Sequence, residues 1–192
     1  MRIINSIFRN NNGNRTGGAI AIHGYSDSNI TAIISNCIFS NNIAVQGGAI
    51  SNSGTLSVLN INIINCDFTN NNADYGSAIA GLVNGSFDIK SSSFENNLAN
   101  IYGAIYFTDN TSANIKYSTF IDNNGKYQLF SDSPNYVNAD YNWWGSNNIN
   151  NKIYGLKPNN YFVMKIASTV ANNKLVLFKF MENKVLFCIK WY

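Results

Sequence analysis

A chain of 192 residues with 45% apolar and 14% aromatic residues holds enough apolar material for a packed core, which argues against a disordered polymer. Only 12% of residues are charged, the formal net charge is +3, and the 13 Lys and Arg are scattered or confined to the tail. No basic patch therefore marks a nucleic-acid-binding surface, and Asn, with 36 copies, dominates the composition.

The chain enters a repeat at once. Arg2-Ile3-Ile4-Asn5-Ser6-Ile7 leads into the word Phe-x-x-Asn at Phe8 to Asn11, followed by Gly17-Gly18-Ala19-Ile20. The pair of words returns at Phe39 with Gly47-Gly48-Ala49-Ile50, at Phe68 with Gly76-Ser77-Ala78-Ile79, and at Phe94 with Tyr102-Gly103-Ala104-Ile105. At Phe120 the second word departs, and Gln128-Leu129-Phe130 stands in place of Gly-Gly-Ala. Steps of 31, 29, 26 and 26 residues between the Phe positions mark a stacked solenoid. Neither a leader sequence nor a polar cap precedes the first coil, so the chain reads as a fragment of a larger protein.

Alignment on Phe exposes columns. Five residues before it stands Ile3, Ile34, Ile63, Ile89 or Ile115; two before it stands Ser6, Cys37, Cys66, Ser92 or Ser118. Ten or eleven after it stands Ala19, Ala49, Ala78 or Ala104, and Phe130 in the fifth coil. Units rich in Asn, Ser, Gly, Ile and Phe suit short strands and tight turns rather than paired amphipathic helices. The expected fold is all-β: a parallel β-helix of about five coils, with like side chains stacked on like. Asn11, Asn42, Asn71, Asn97 and Asn123 fall at a turn, where Asn tolerates left-handed angles and can form an amide ladder.

Coil lengths differ in one sector, around His23 to Asn29 and Ser51 to Thr55. Loops that lengthen on one side of a solenoid are the usual place for binding. The candidate ligand-binding residues are therefore His23, Tyr25, Asp27, Asn52 and Asp109, with Tyr25 a natural sugar-stacking ring.

Asp140-Tyr141-Asn142-Trp143-Trp144-Gly145 then breaks the repeat and suits a plug over the last coil. Residues 1–150 read as the β-helix with this terminal cap, and 151–192 as a linker and truncated β-domain-like tail. In the tail, Tyr161 to Val170, Lys174 to Phe180 and Lys184 to Tyr192 read as strands, with turns at Asn172-Asn173 and Glu182-Asn183. No apolar run reaches the length of a membrane-spanning helix.

Catalysis on a β-helix needs carboxylates gathered on one face. Relative to Phe, Asp67 lies at minus one, Glu95 at plus one, Asp122 at plus two, Asp74 at plus six and Asp88 at minus six, so no two consecutive coils share an acidic column. The expectation is no catalytic residue, no metal and no cofactor. His23 is the single histidine, and a His23–Asp27 pair falls short of a metal site. Cys37 and Cys66 share a column on adjacent coils, which is poor geometry for a disulfide and predicts stacked buried thiols. Glycosylation sequons at Asn14, Asn29, Asn84 and Asn110 are no more than the roughly five that composition alone would generate.

The paired words Gly-Gly-Ala-Ile and Phe-x-x-Asn are similar to the repeats of polymorphic outer membrane proteins, and the segment Asp140-Tyr141-Asn142-Trp143-Trp144-Gly145 after them is similar to the end of the β-helix in a second group. The chain resembles still more closely the Asn-rich adhesin-like surface proteins of methanogenic archaea. The resemblance covers about residues 1 to 150. It implies a right-handed, pectin-lyase-like β-helix, a cell-surface or extracellular setting for the parent protein, and adhesion to glycans or proteins of another cell. It brings no catalytic residues. The alternative is a carbohydrate-active β-helix, lyase- or hydrolase-like, or its inactive sugar-binding relic.

Overall fold

A computed structural model describes residues 1–25, 28–133, 135–169, 176–182, 185–189, except 55–57; for 165–169, 176–182 and 185–189 it gives the backbone alone. The described residues form strands and turns and contain no helix. About five turns of a parallel β-solenoid stack along one axis. Each turn contributes one strand to each of three parallel sheets.

The Ile sheet contains Arg2–Ile4, Asn29–Ser35, Val58–Ile64, Gly85–Lys90, Ser112–Lys116 and Val137–Asn138. The Phe sheet contains Ile7–Arg9, Ile38–Ser40, Asp67–Thr69, Ser93–Glu95 and Thr119–Ile121. A third sheet, the Ala-Ile sheet, contains Ile20–Gly24, Ile50–Gly54, Ile79–Gly81, Ile105–Phe107, Leu129–Ser131 and Ile153–Tyr154. Register holds each column: Ile34 pairs with Ile63, which pairs with Ile89, which pairs with Ile115. All four are fully buried.

The Phe rings form one continuous stack. Phe8, Phe39, Phe68, Phe94 and Phe120 lie 4.7–5.0 Å apart and within 6° of parallel. Trp144 occupies the sixth place, 4.4 Å from Phe120. The expected plug is thus a further coil that reuses the Phe slot with a larger ring. Asn142 fills the slot of the small column and Ala139 that of the Ile column, both buried.

Beside the rings runs the Asn ladder. The Nδ2 of Asn11, Asn42, Asn71 and Asn97 each donates to the Oδ1 of the next Asn at 2.8–2.9 Å. The backbone N–H of the same residue donates to that same oxygen. The other Nδ2 hydrogen of Asn42, Asn71 and Asn97, and one of Asn123, reaches back to the Phe carbonyl of the preceding coil. These amides are buried and fully paired from Asn42 to Asn123, as buried polar groups must be.

The left-handed angles fall on neighbouring columns instead. Asn10, Asn41, Asn70, Asn96 and Asp122, one residue before the ladder, have φ of 49–59°. So do Asn5, Asn36, Asn65, Ser91, Tyr117 and Tyr141, three residues before the aromatic ring, at 49–61°. These two columns turn the chain into and out of the Phe strand. The first Gly of the second word is a third such place: Gly47 has φ of 67°, and a Cβ there would stand 2.3 Å from the Ile50 carbonyl oxygen.

The small column works by one bond. Ser6, Ser92 and Ser118 donate their hydroxyls, and Cys37 and Cys66 their thiols, to the carbonyl two residues earlier. Cys and Ser are interchangeable there because either bridges the left-handed residue between. Both thiols are free and buried, and burial pushes the Cys66 thiol up to about 11.

Coil five corrects one alignment. Leu129 pairs with Ile105, so Gln128, not Phe130, occupies the Ala column. Six residues separate Asn123 from Leu129 where eight separate Asn97 from Ile105. The shorter turn brings the Gln128 side chain onto the end of the ladder: its Oε1 accepts from Asn123 Nδ2 at 2.8 Å, and its Nε2 donates to the Asn123 carbonyl at 3.1 Å.

The parallel ladder continues to Ile153–Tyr154, and Asp140 accepts from the backbone N–H of Asn159 and Asn160 where the chain crosses back. Val163–Thr169, Val176–Glu182 and Val185–Ile189 then form an antiparallel sheet of three strands. The expected turns at Asn172-Asn173 and Asn183 lie outside the described residues. Among the described residues no helix is long and apolar enough to cross a membrane.

Candidate functional site

The corner between the Ala-Ile sheet and the Ile sheet carries the expected site. Its two longest strands, Ile20–Gly24 and Ile50–Gly54, pair throughout and set His23 opposite Ser53. His23 points outward, and its Nδ1 lies 2.7 Å from Ser53 Oγ. Tyr25 follows two residues later at 76% exposure. Asp27 lies outside the described residues.

Asn52 is placed differently from its neighbours. It is fully buried, its Nδ2 donates to the Val83 carbonyl at 2.6 Å, and its Oδ1 accepts from the Leu82 N–H at 2.7 Å. The amide is a strut beneath the next coil's corner. Asp109 is exposed in a left-handed turn, and its carbonyl accepts from Ser133 Oγ at 2.6 Å. Two strands intervene between those of His23 and Asp109, a distance of about 14 Å along the stack. The structure therefore brings His23, Ser53 and Tyr25 to one place and leaves Asp109 at another.

Three of the acids each meet a neutral group from the next coil. Ser93 donates to Asp67 at 2.5 Å, Asn100 to Asp74 at 2.7 Å, and Asn114 to Asp88 at 3.0 Å, where Lys90 also pairs at 2.7 Å. Among the described residues no group of three or more His, Cys, Asp or Glu side chains gathers as metal ligands would.

A second surface emerges that the columns did not reveal. The positions of the Ala-Ile sheet that alternate with its core column change along the stack from Ala21, Ser51 and Ala80 to Tyr106, Phe130 and Tyr154, of which Ser51, Ala80 and Phe130 are buried and Tyr106 and Tyr154 reach the surface. Tyr75, Tyr102 and Tyr127 join them. Tyr102 stacks on Phe130 at 3.9 Å and Phe130 on Tyr154 at 4.6 Å, forming an aromatic strip along one side. Burial raises the Tyr106 phenol above its ordinary range. The signal lay in the sequence as Tyr102, Tyr106, Phe130 and Tyr154, but only the register of coil five aligns them.

The structure also gathers three of the four sequons. Asn29 and Asn84 both align with Val58, and Asn110 follows Asn84 in the same exposed column of the Ile sheet. Comparison with protein-family models, curated proteins and solved structures yields no match to the chain.

Proposed function

We propose that the chain is a non-catalytic, adhesin-like module of a cell-surface protein, built on a right-handed, pectin-lyase-like β-helix. In this reading the solenoid is a rigid post whose sides carry contacts to glycans or proteins of another cell. The observation that carries it is the distribution of reactive groups. Asp67, Asp74 and Asp88 stand in different columns, each held by a neutral partner from the neighbouring coil. Aromatic rings, in contrast, line up along one side, with Tyr102, Tyr106 and Tyr154 partly exposed and suited to repeated weak contacts. A glycan array and a cell-binding assay on the chain test it: retention on particular glycans or cells is expected, and retention on none overturns it.

One observation favours the alternative of a carbohydrate-active chain, the His23–Ser53 contact, which has the reach of a base and a hydroxyl. Release of reducing or unsaturated ends from a polysaccharide panel, lost in Ser53→Ala, would establish that alternative.

A further inference from the structure

Several departures of the repeat from its own pattern meet at one place. Asp122 stands in the left-handed column filled elsewhere by Asn10, Asn41, Asn70 and Asn96. Gln128 and Lys152 stand in the column filled elsewhere by Ala19, Ala49, Ala78 and Ala104, and Trp144 stands in the Phe column. With Asn124 and Gly145, these residues line a cleft of about 350 Å³ at the step from coil five to the last turn. The volume is at the small end for ligand pockets.

Capping accounts for Gln128, which closes the Asn ladder, and for Trp144, which closes the ring stack. It does not account for Asp122, Asn124 or Lys152. Their side chains have no partner within the described chain, and Asp122 and Lys152 share the cleft without an ion pair. Asp122 and Asn124 face solvent and Lys152 is half-buried, so a carboxylate, an amide and an ammonium line the cleft without being tied to other side chains. The carboxylate accepts from hydroxyl groups, the ammonium donates, and the amide does both. The two charges cancel, so a matching ligand is uncharged and rich in hydroxyls.

We propose that this cleft binds one neutral pyranose unit of a surface glycan, an inference that rests on the adhesin-like reading and gives it a site. The variants are supplied by the repeat itself: Asp122→Asn and Lys152→Ala each restore the residue that other coils carry, which keeps the fold. Saturation-transfer NMR on the full chain with the methyl glycosides of glucose, galactose, mannose and N-acetylglucosamine is the test, with galacturonate as the charged control. At least one neutral glycoside is expected to bind, and each variant to weaken it by about tenfold or more with melting unchanged. No neutral glycoside bound, equal binding by both variants, or preference for galacturonate would each overturn the proposal. Equal binding by the variants on a glycan array that still retains the chain removes the cleft alone. An array that retains nothing removes the adhesive reading, whatever the NMR shows of the cleft.

Discussion

The first four coils and the last turn fill the same slots with different residues. In the first four, each slot is occupied by one size class, and every coil presents the next with the surface that it met itself. At the last turn Phe gives way to Trp144, Ile to Ala139, the small column to Asn142 and Ala to Lys152, with Gln128 already in the Ala place of coil five. A repeating coil needs complementarity to itself; a terminal one must satisfy a coil on one side and stop the pattern on the other. The substitutions show how: Gln128 completes the hydrogen bonds of the last ladder Asn, and Asn142 donates to the Ile115, Ala139 and Asp140 carbonyls.

The sharpest break in this contrast is an interior rung. Asn71→Leu orphans the buried Asn42 N–H and strips one bond each from Asn42 Nδ2, Asn97 Oδ1 and the Phe39 carbonyl, and is expected to cost about 3 kcal/mol or more. Urea denaturation measures it, and a loss below about 1 kcal/mol would mean that the ladder is incidental to the stack.

Next in size is an alkaline effect confined to the regular coils. The Cys66 thiol is held at about 11 in the fold, against an ordinary value of 9.0. The unfolded chain loses this proton first, so the associated stability is complete below pH 9 and is lost as pH rises from there to about 11. The loss is on the order of 2–3 kcal/mol. Cys66→Ser supplies the hydroxyl used by Ser92 and Ser118 and should flatten the decline in melting temperature over that interval. An unchanged slope would assign the decline to other groups.

A smaller effect tests the terminal coil. Gln128→Ala restores the residue of the Ala column, leaves the Phe94 bond of Asn123 in place, and should cost about 1–2 kcal/mol. A cost equal to that of Asn71→Leu would show that the end is as critical as the interior. The smallest change is a gain. Tyr117 holds φ of 57°, a region costly for a bulky residue, where the first three coils use Asn. Tyr117→Asn should stabilise by about 0.5 kcal/mol, the relief of strain exceeding the loss of its stacking on Tyr141 at 6.0 Å. A net loss would rank the ring contact above the backbone strain.

The inward columns were legible because burial on a repeating strand admits one size class, and Ile34 or Phe68 has nowhere else to go. The choice within each Asn-Asn pair was not. Asn70 and Asn71 are the same residue, yet one turns the chain with φ of 55° and the other is buried in the ladder, a division made by backbone register. Outward residues depend on register still more. The aromatic strip and the cleft both follow from a turn two residues short after Asn123, which composition does not display. At the expected site, outward His23 and Tyr25 could be read from the loop sector, whereas the burial of Asn52 depends on Leu82 and Val83, thirty and thirty-one residues away.

The stack of rings from Phe39 to Phe120 has a consequence for heredity. Excision of residues 69–94 would join Phe68 to Glu95, so that one ring inherits the place of another and the Asn that follows becomes Asn97. Every column closes over the gap, because neighbouring coils offer the same surfaces. A gene of this kind can therefore gain or lose a whole coil by unequal recombination and still encode a continuous core, changing how far the protein reaches without a new folding problem to solve.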